Sequence, residues 1–320
     1  MLTGPFFRPP TSFGHRAIGH HVRVIVHLVD GTYELYRQHY GQAVRSSTPS
    51  PNAATIGVLN STFQLLTDGA THIGVATDHV IESFRNDLYD GYKTSEGMEP
   101  EILGQIPIVE EALRSMGVTV WAMEEYEADD GLASAAAVAA GDRRVEQVRI
   151  LSPDKDLGQC VVGERVVQVD RRKMAKDGSG LVDEAAVIAK FGVPPASIAD
   201  WLALVGDTAD GFPGLPGWGA KSASSVLAVY GHIDRIPDRA DEWQVPNLRG
   251  AVKLAAALAD NRDLATLFLK IATVVTSVPV GRVDDWSWTG PTDDFSDFCA
   301  DLGVPRLADR VAKLAESRGR

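Results

Sequence analysis

"VRVIVHLVD" (22–30) is a nearly continuous apolar run that ends in Asp30. Runs of this kind suit parallel strands buried on both faces, where polar and apolar residues need not alternate. Four further stretches read as strands: "THIGVATD" (71–78), "VTVWAM" (118–123), "VRILSPDKD" (148–156) and "RVVQVD" (165–170). Helical patterns lie between them. Residues 52–68 carry apolar side chains at helical spacing, as does "PEILGQIPIVEEALRSMG" (100–117), and the alanine-rich "DDGLASAAAVAAG" (129–141) stops at Gly141. Alternating strand and helix predicts a three-layer α/β domain with a mainly parallel sheet. From about residue 183 the strand signals fade. "DEAAVIAKFG", "PPASIADWLALVG", "GAKSASSVLAVYG" and "LRGAVKLAAALADNRDLATLFLKIATVV" read as helices divided by Pro/Gly turns. The expected organisation is a loose tail over 1–20, an α/β core over 21–190, a helical subdomain over 191–290 and a C-terminal tail over 291–320 with a last helix near 304–317.

Composition narrows the function classes. The chain has 320 residues, 44% hydrophobic and 23% charged, ordinary for a globular protein with room for one large or two modest domains. Its two cysteines, Cys160 and Cys299, form no C-x-x-C or Cys/His cluster, which argues against a zinc site or disulfide framework and fits a reducing cytoplasm. "MLTGPFFRPPTSFGHRAIGHH" (1–21) has no apolar core of a signal peptide. No stretch approaches the roughly 18 apolar residues of a membrane span. The net charge of −12 argues, taken alone, against a nucleic-acid binder, which needs a basic surface. That argument weakens if the acids are concentrated at one place and neutralised by cations.

Their positions point that way. Asp30, Asp78 and Asp154 end predicted strands, and ligands of open α/β sheets bind beyond those carboxyl ends. Asp156 follows two residues after Asp154. "YEADDG" (126–131) places Glu127, Asp129 and Asp130 at the start of the alanine-rich helix. One acid satisfies an N-cap; three in four residues exceed that role. "GDTADG" (206–211) adds Asp207 and Asp210 at a helix–helix turn, and by itself reads as an ordinary Asp/Gly turn. Like charges packed together raise each other's pKa and repel, and divalent cations resolve this. An oxygen-only donor set without His or Cys suits Mg²⁺ or Mn²⁺. Two such ions about 3.5–4 Å apart can clamp the attacking and leaving oxygens of a phosphoryl displacement. With these nine acids set aside, the rest of the chain carries a net charge of only −3.

"GLPGWGAKS" (214–222) falls one residue short of the ATP-binding pattern G-x-x-x-x-G-K-S. That pattern needs a buried strand before it, and here "ADWLALVGDTADGFP" (199–213) is helix and turn. Successive glycines at a helix N-terminus instead expose backbone N–H groups that can bind another anion.

Taken in order, "LVDGTYELYR" (28–37), "FRNDLYDGYK" (84–93), "EADD" (127–130), "SPDKD" (152–156), "GDTADGFPGLPGWGAKSA" (206–223) and "LRGAVKLAAALADNRDLATLFLKIATVVTSVPV" (248–280) resemble the flap endonuclease / 5′→3′ exonuclease family. The likeness is to the 5′-nuclease domain of bacterial DNA polymerase I and its stand-alone relatives, and covers about 22–285. It implies a PIN-like core with a helical arch segment over about 84–107, followed by a helix–hairpin–helix subdomain. It further implies that Asp30, Asp78, Glu127 and Asp129 gather the catalytic metal, with Asp130 beside them. Asp154, Asp156, Asp207 and Asp210 then complete a second metal's shell, partly through water. Lys93 matches the arch lysine that stabilises charge on the scissile phosphate, and Arg85 an arginine near the 5′ end of the substrate. On a helical arch, Arg85, Leu88/Tyr89 and Tyr92 fall near one face, with Tyr92 offering a ring for base stacking. At the glycine turn, Gly217 and Gly219 let duplex DNA approach, Lys221 and Ser222 add a charge and a hydroxyl, and a K⁺ ion is a family expectation. The implied substrates are DNA with 5′ flaps, gaps or free 5′ ends, extending to RNA primers. A monomer would hydrolyse them in replication or repair, releasing a 5′-phosphate and leaving a 3′-hydroxyl.

Two departures from the family pattern stand out. "YKTSEG" puts Glu96 where an arginine follows Y-K-x-x, and an acid there repels phosphate. "GDTADG" replaces the usual GDxSDN with Ala209 and Gly211 but keeps both aspartates. Two rival readings remain. Glu96 favours a non-catalytic DNA-binding relative, which the nine retained carboxylates disfavour. A PIN-type RNase is disfavoured by the helical half.

Overall fold

The computed structural model of the protein describes residues 24–45 and 51–319. The expected tail over 1–20 lies outside them. The chain opens with β1 (Val24–Asp30), α1 (Gly31–Arg45), α2 (Ala53–Thr67), β2 (His72–Asp78), α3 (Pro100–Leu103), α4 (Ile106–Ser115), β3 (Thr119–Met123), α5 (Ala128–Gly141), β4 (Val145–Leu151), β5 (Val166–Val169), α6 (Arg171–Asp177) and β6 (Leu181–Val182). It continues with α7 (Glu184–Phe191), α8 (Ile198–Val205), α9 (Ala220–Tyr230), α10 (Ala251–Asp260), α11 (Arg262–Ala272), α12 (Phe295–Asp301) and α13 (Pro305–Ser317). Among the described residues no single helix is long and apolar enough to cross a membrane.

The sheet has the order β3-β2-β1-β4-β5-β6, parallel except for β6, which pairs antiparallel with β5. The apolar run at β1 is central, flanked by β2 and β4 with Val29 opposite both Val75 and Leu151. One face packs Val29, Ile73, Val75 and Leu151 against α2 and α4. The other packs Val26, Leu28, Val148 and Ile150 against the alanines of α5, whose small side chains allow close approach. The helical half builds a separate core around Leu202, Phe212, Val226 and Phe268. This is the three-layer α/β domain with a helical subdomain that the patterning predicts, and it agrees with the PIN-like core that the resemblance implies.

Several elements differ from the reading of the sequence. β4 ends at Leu151, so Asp154 sits in the loop beyond the strand and not at its end. α1 follows Asp30 at once, capped by the aspartate itself, whose Oδ1 accepts a hydrogen bond from the Tyr33 N–H (2.8 Å). No helix runs through 84–99; the segment is a succession of turns before the single turn of α3. Leu88, Tyr89 and Tyr92 are drawn into the helical core, while Phe84 packs on Tyr126, so they form no stripe of their own. The C-terminal stretch is part of the first domain: Phe295, Cys299, Leu307 and Val311 are buried in the core under α2 and α4.

Candidate metal centre

Parallel register carries the carboxyl ends of β1, β2 and β4 to one edge, and the acids gather there. Asp30, buried at the end of β1, accepts from Tyr33 N–H and from the Ser152 hydroxyl (2.8 Å each). Burial pushes its carboxyl up to about 7; those two bonds pull the other way, and repulsion from Asp78 and Asp154 adds to the rise. Asp78 accepts from the Ala128 N–H at the start of α5 (2.8 Å), and burial raises its pKa against the pull of Lys93. Asp129 is held far above the usual carboxylate range by burial, and then by Asp154, Asp30 and Asp156. Asp30 and Asp154 line one cleft, and Asp129 is close enough to both to feel their charge.

The turn after α8 closes the cluster. Asp207 and Phe212 exchange both backbone hydrogen bonds (2.8 and 3.0 Å), which folds 207–212 into a tight loop. Carboxylate oxygens of Asp156, Asp207 and Asp210 lie within 4.8 Å of one another. Burial and repulsion by Asp154, Asp210 and Asp207 hold Asp156 well above its ordinary pKa, and its Oδ1 is buried without a hydrogen-bond partner. A buried carboxylate oxygen with no donor is costly unless a cation supplies the missing contact. The donor set is all oxygen, and it fits a hard divalent ion.

Two lysines enter the cluster. Lys93 Nζ lies 3.0 Å from Glu127 and 2.9 Å from Asp210, and Lys155 Nζ lies 2.5 Å from Asp207. The Lys93 segment docks on the 207–212 turn through its N–H to the Asp210 carbonyl (3.0 Å). This contact explains Gly211: at φ +86°, a Cβ there would stand 2.2 Å from the Gly91 carbonyl oxygen. The glycine in "GDTADG" is a packing requirement of this turn.

Three expected site residues are placed elsewhere. Asp130 is fully buried and spends both oxygens on structural donors: the Arg85 guanidinium (2.7 and 2.8 Å) and the backbone N–H groups of Glu127 (3.0 Å) and Val275 (2.8 Å). It does not face the cluster. Arg85 is 3% exposed and also donates to the carbonyls of Ile271 (2.8 Å) and Thr273 (3.2 Å), so it ties α5 to the end of α11 and does not reach toward a substrate end. Tyr92 is 4% exposed within the helical core, which leaves no open ring for a base to stack on. Glu127 is also heavily engaged. It accepts from Ser83 Oγ (2.8 Å), and although burial works to raise its pKa, Lys93 and Arg85 together lower it. Lys155 belongs to the cluster although the acidic motifs do not single it out. Its position between two predicted ligands, in "SPDKD", was the available signal.

The glycine turn lies about a second, chemically opposite groove. Gly217 has φ +78° and nothing within 4 Å of where a Cβ would stand, so the backbone is open to approach. Ser222 fastens the turn, accepting from the Gly219 N–H (3.0 Å) and donating to the Gly219 carbonyl (2.9 Å), so its hydroxyl is not idle. Facing this turn is the start of α10, and together they enclose a groove of about 920 Å³. Among the described residues, Lys221, Arg249 and Lys253 line it and no carboxylate does, and the buried Nε1 of Trp218, also in its wall, has no hydrogen-bond partner.

Comparison with known proteins fits this geometry. DNA polymerase I of Rhizobium leguminosarum is 33% identical over 264 residues, 79% of this chain and 25% of the relative. The chain thus spans about a quarter of that relative's length. Among solved structures, the T5 D15 protein co-crystallised with metal ions superposes with a TM-score of 0.62 at 17% identity, covering 91% of this chain and 98% of that one. The catalytic core of Rad2 in complex with DNA substrate gives 0.60 at 16% identity, covering 92% and 93%. At these identities the two structures establish a shared fold. The model described as the N-terminal resolvase-like domain of 5′-3′ exonuclease matches residues 25–192, and the one described as its C-terminal SAM fold matches 193–294. This chain belongs to the 5′-3′ exonuclease family.

Proposed function

We propose that the protein is a metal-dependent 5′→3′ exonuclease and flap endonuclease that hydrolyses DNA phosphodiester bonds at the acidic cleft. The observation that carries this reading is the trio of Asp156, Asp207 and Asp210 oxygens within 4.8 Å, one of them buried without a donor. Asp156, Asp207 and Asp210 would hold one Mg²⁺ or Mn²⁺, and Asp30, Asp78, Asp129 and Asp154 a second. Bound there, two divalent ions would supply an activated water and charge neutralisation at the attacking and leaving oxygens.

The chain's own residues do the rest. Ser152 and the Tyr33 N–H hold the Asp30 carboxylate in one orientation, and the Ala128 N–H does the same for Asp78. Lys93, fixed between Glu127 and Asp210 with a third of its side chain exposed, presents positive charge at the cleft where a phosphate would arrive. Lys221, Arg249 and Lys253 would bind duplex backbone in the glycine-turn groove without reading sequence. The cut would leave a 3′-hydroxyl and a 5′-phosphate, a product suited to replication or repair.

The test is a 5′-labelled flap substrate incubated with Mg²⁺, Mn²⁺ or EDTA. Cleavage near the single-strand/double-strand junction that EDTA abolishes is expected. A chain that binds the substrate yet cuts it with neither metal overturns the reading.

A further inference from the structure

We propose that Lys155 is an internal counter-ion of the acidic trio, displaced when a divalent cation binds, and that it thereby sets the metal affinity of the centre. The inference rests on the metal reading above. Three carboxylates of the trio face two ammonium groups, and one of these, Lys93, is shared with Glu127. Lys155 stands 2.5 Å from Asp207 Oδ2, on a carboxylate the trio needs, while Asp156 Oδ1 has no donor. Two lysines therefore relieve the repulsion only in part. A divalent ion that gathers oxygens of all three residues must come up against the Lys155 ammonium, and two cations at one carboxylate repel.

Lys155 is the lysine free to leave. Lys93 has two carboxylate partners, and its backbone is bonded to Asp210. Lys155 has one carboxylate partner and a side chain one-third exposed. The cleft of about 370 Å³ that it lines together with Asp30, Asp154, Asp207 and Lys190 is open, so the ammonium can move from Asp207 outward to solvent. Until metal arrives, the pair also ties the 207–212 turn to the loop after β4. Lys155 is thus a positioning residue that acts through Asp207.

The test is calorimetric titration of Mg²⁺ into the full chain without DNA, alongside melting in EDTA. Lys155→Met is expected to bind Mg²⁺ about fivefold more tightly, the scale of one partly exposed ion pair removed as competitor. It should melt about 2 °C lower in EDTA, with the deficit gone at saturating Mg²⁺. Lys155→Arg should stay within about twofold of wild type, because the charge is kept. Lys313→Met, which removes an exposed lysine of α13 outside this cleft, should leave the affinity unchanged. If Lys155→Met binds Mg²⁺ no more tightly than wild type, the assignment is overturned while the metal reading stands. A wild-type chain that takes up no Mg²⁺ or Mn²⁺ overturns both.

Discussion

The acidic cleft and the glycine-turn groove are opposites within one molecule. In the cleft, acids from five separate segments crowd together, and several are held well above their ordinary pKa. In the groove, three basic side chains face an open space of about 920 Å³ with no acid among the lining residues. On the proposed reading, a chain of net charge −12 can engage a polyanion because cations would neutralise the acids gathered in the cleft, and the groove offers a separate basic surface. The proposed function divides the work in the same way, with chemistry in the cleft and holding in the groove. The two regions should be separable by mutation.

The largest effect is expected in the cleft. Asp156→Ala removes the buried carboxylate at the centre of the trio and should lower single-turnover cleavage by at least about a thousandfold. Duplex binding measured in EDTA should stay within about twofold of wild type, because the groove lies apart. Equal losses of cleavage and binding would mean that the two regions are one site.

Arg85→Ala should break the fold rather than the cleft. It leaves Asp130 buried and unpaired, and loss of such a partner costs about 3–5 kcal/mol, read by denaturant unfolding. At a temperature where the variant is still folded, cleavage should fall far less than in Asp156→Ala. A variant of near-normal stability that fails to cut would return Arg85 to the catalytic machinery.

These two residues show what was legible in the sequence and what was not. Strand ends, helix starts and an Asp-rich turn located the acids, since parallel topology fixes which end of each strand they share. The same logic misplaced Asp130, which lies in the same short acidic run as Asp129. In the first turn of α5, Asp129 and Asp130 point to different sides, and which side meets Arg85 depends on a partner 45 positions away. Tyr92 failed for a related reason: a helical arch would expose its ring, but the segment forms turns in which Leu88, Tyr89 and Tyr92 find a core in the helical half. α12 went unread because its seven residues gain their stability from packing under α4, not from a pattern of their own. Long-range pairing decided each of these, and local periodicity does not contain it.

The metal should be linked to protons. Asp30 has a folded value of about 7 against 3.8 in isolation, so the folded chain binds that proton more tightly. Without metal, stability should therefore fall as pH rises from about 4 to about 7. Metal binding requires the ionised form, so Mg²⁺ affinity should rise about tenfold per pH unit in that window for each proton displaced. Titrations in buffers of different ionisation enthalpy measure the release directly. A pH-independent affinity between 5 and 7 would mean the acids are already ionised, and that the cleft is less crowded than its geometry implies.

Damage to the groove should be milder and of a different kind. Lys221→Ala with Lys253→Ala should weaken duplex binding about tenfold and reduce the salt slope by about two, while kcat at saturating substrate is unchanged. A fall in kcat with an unaltered salt slope would place these lysines outside the phosphate contacts.

Glu96 offers the finest test, because it lies in neither region. It is exposed on the turn segment beyond Lys93, where Ser95 is anchored by two hydrogen bonds to Glu82 (2.6 and 2.8 Å). The backbone at this point is fixed, and the side chain can be changed without cost to a core. Glu96→Arg shifts the local charge by two units on the path a 5′ strand would take to Lys93. If that path is used, KM for a flap substrate should fall about threefold at low salt and the gain should vanish by about 0.5 M salt, as screening removes steering of this kind. kcat should not move, because position 96 makes no contact with the acids. A rise in kcat would bring Glu96 into the cleft's chemistry, and an unchanged KM at low salt would show that the substrate strand does not pass this turn.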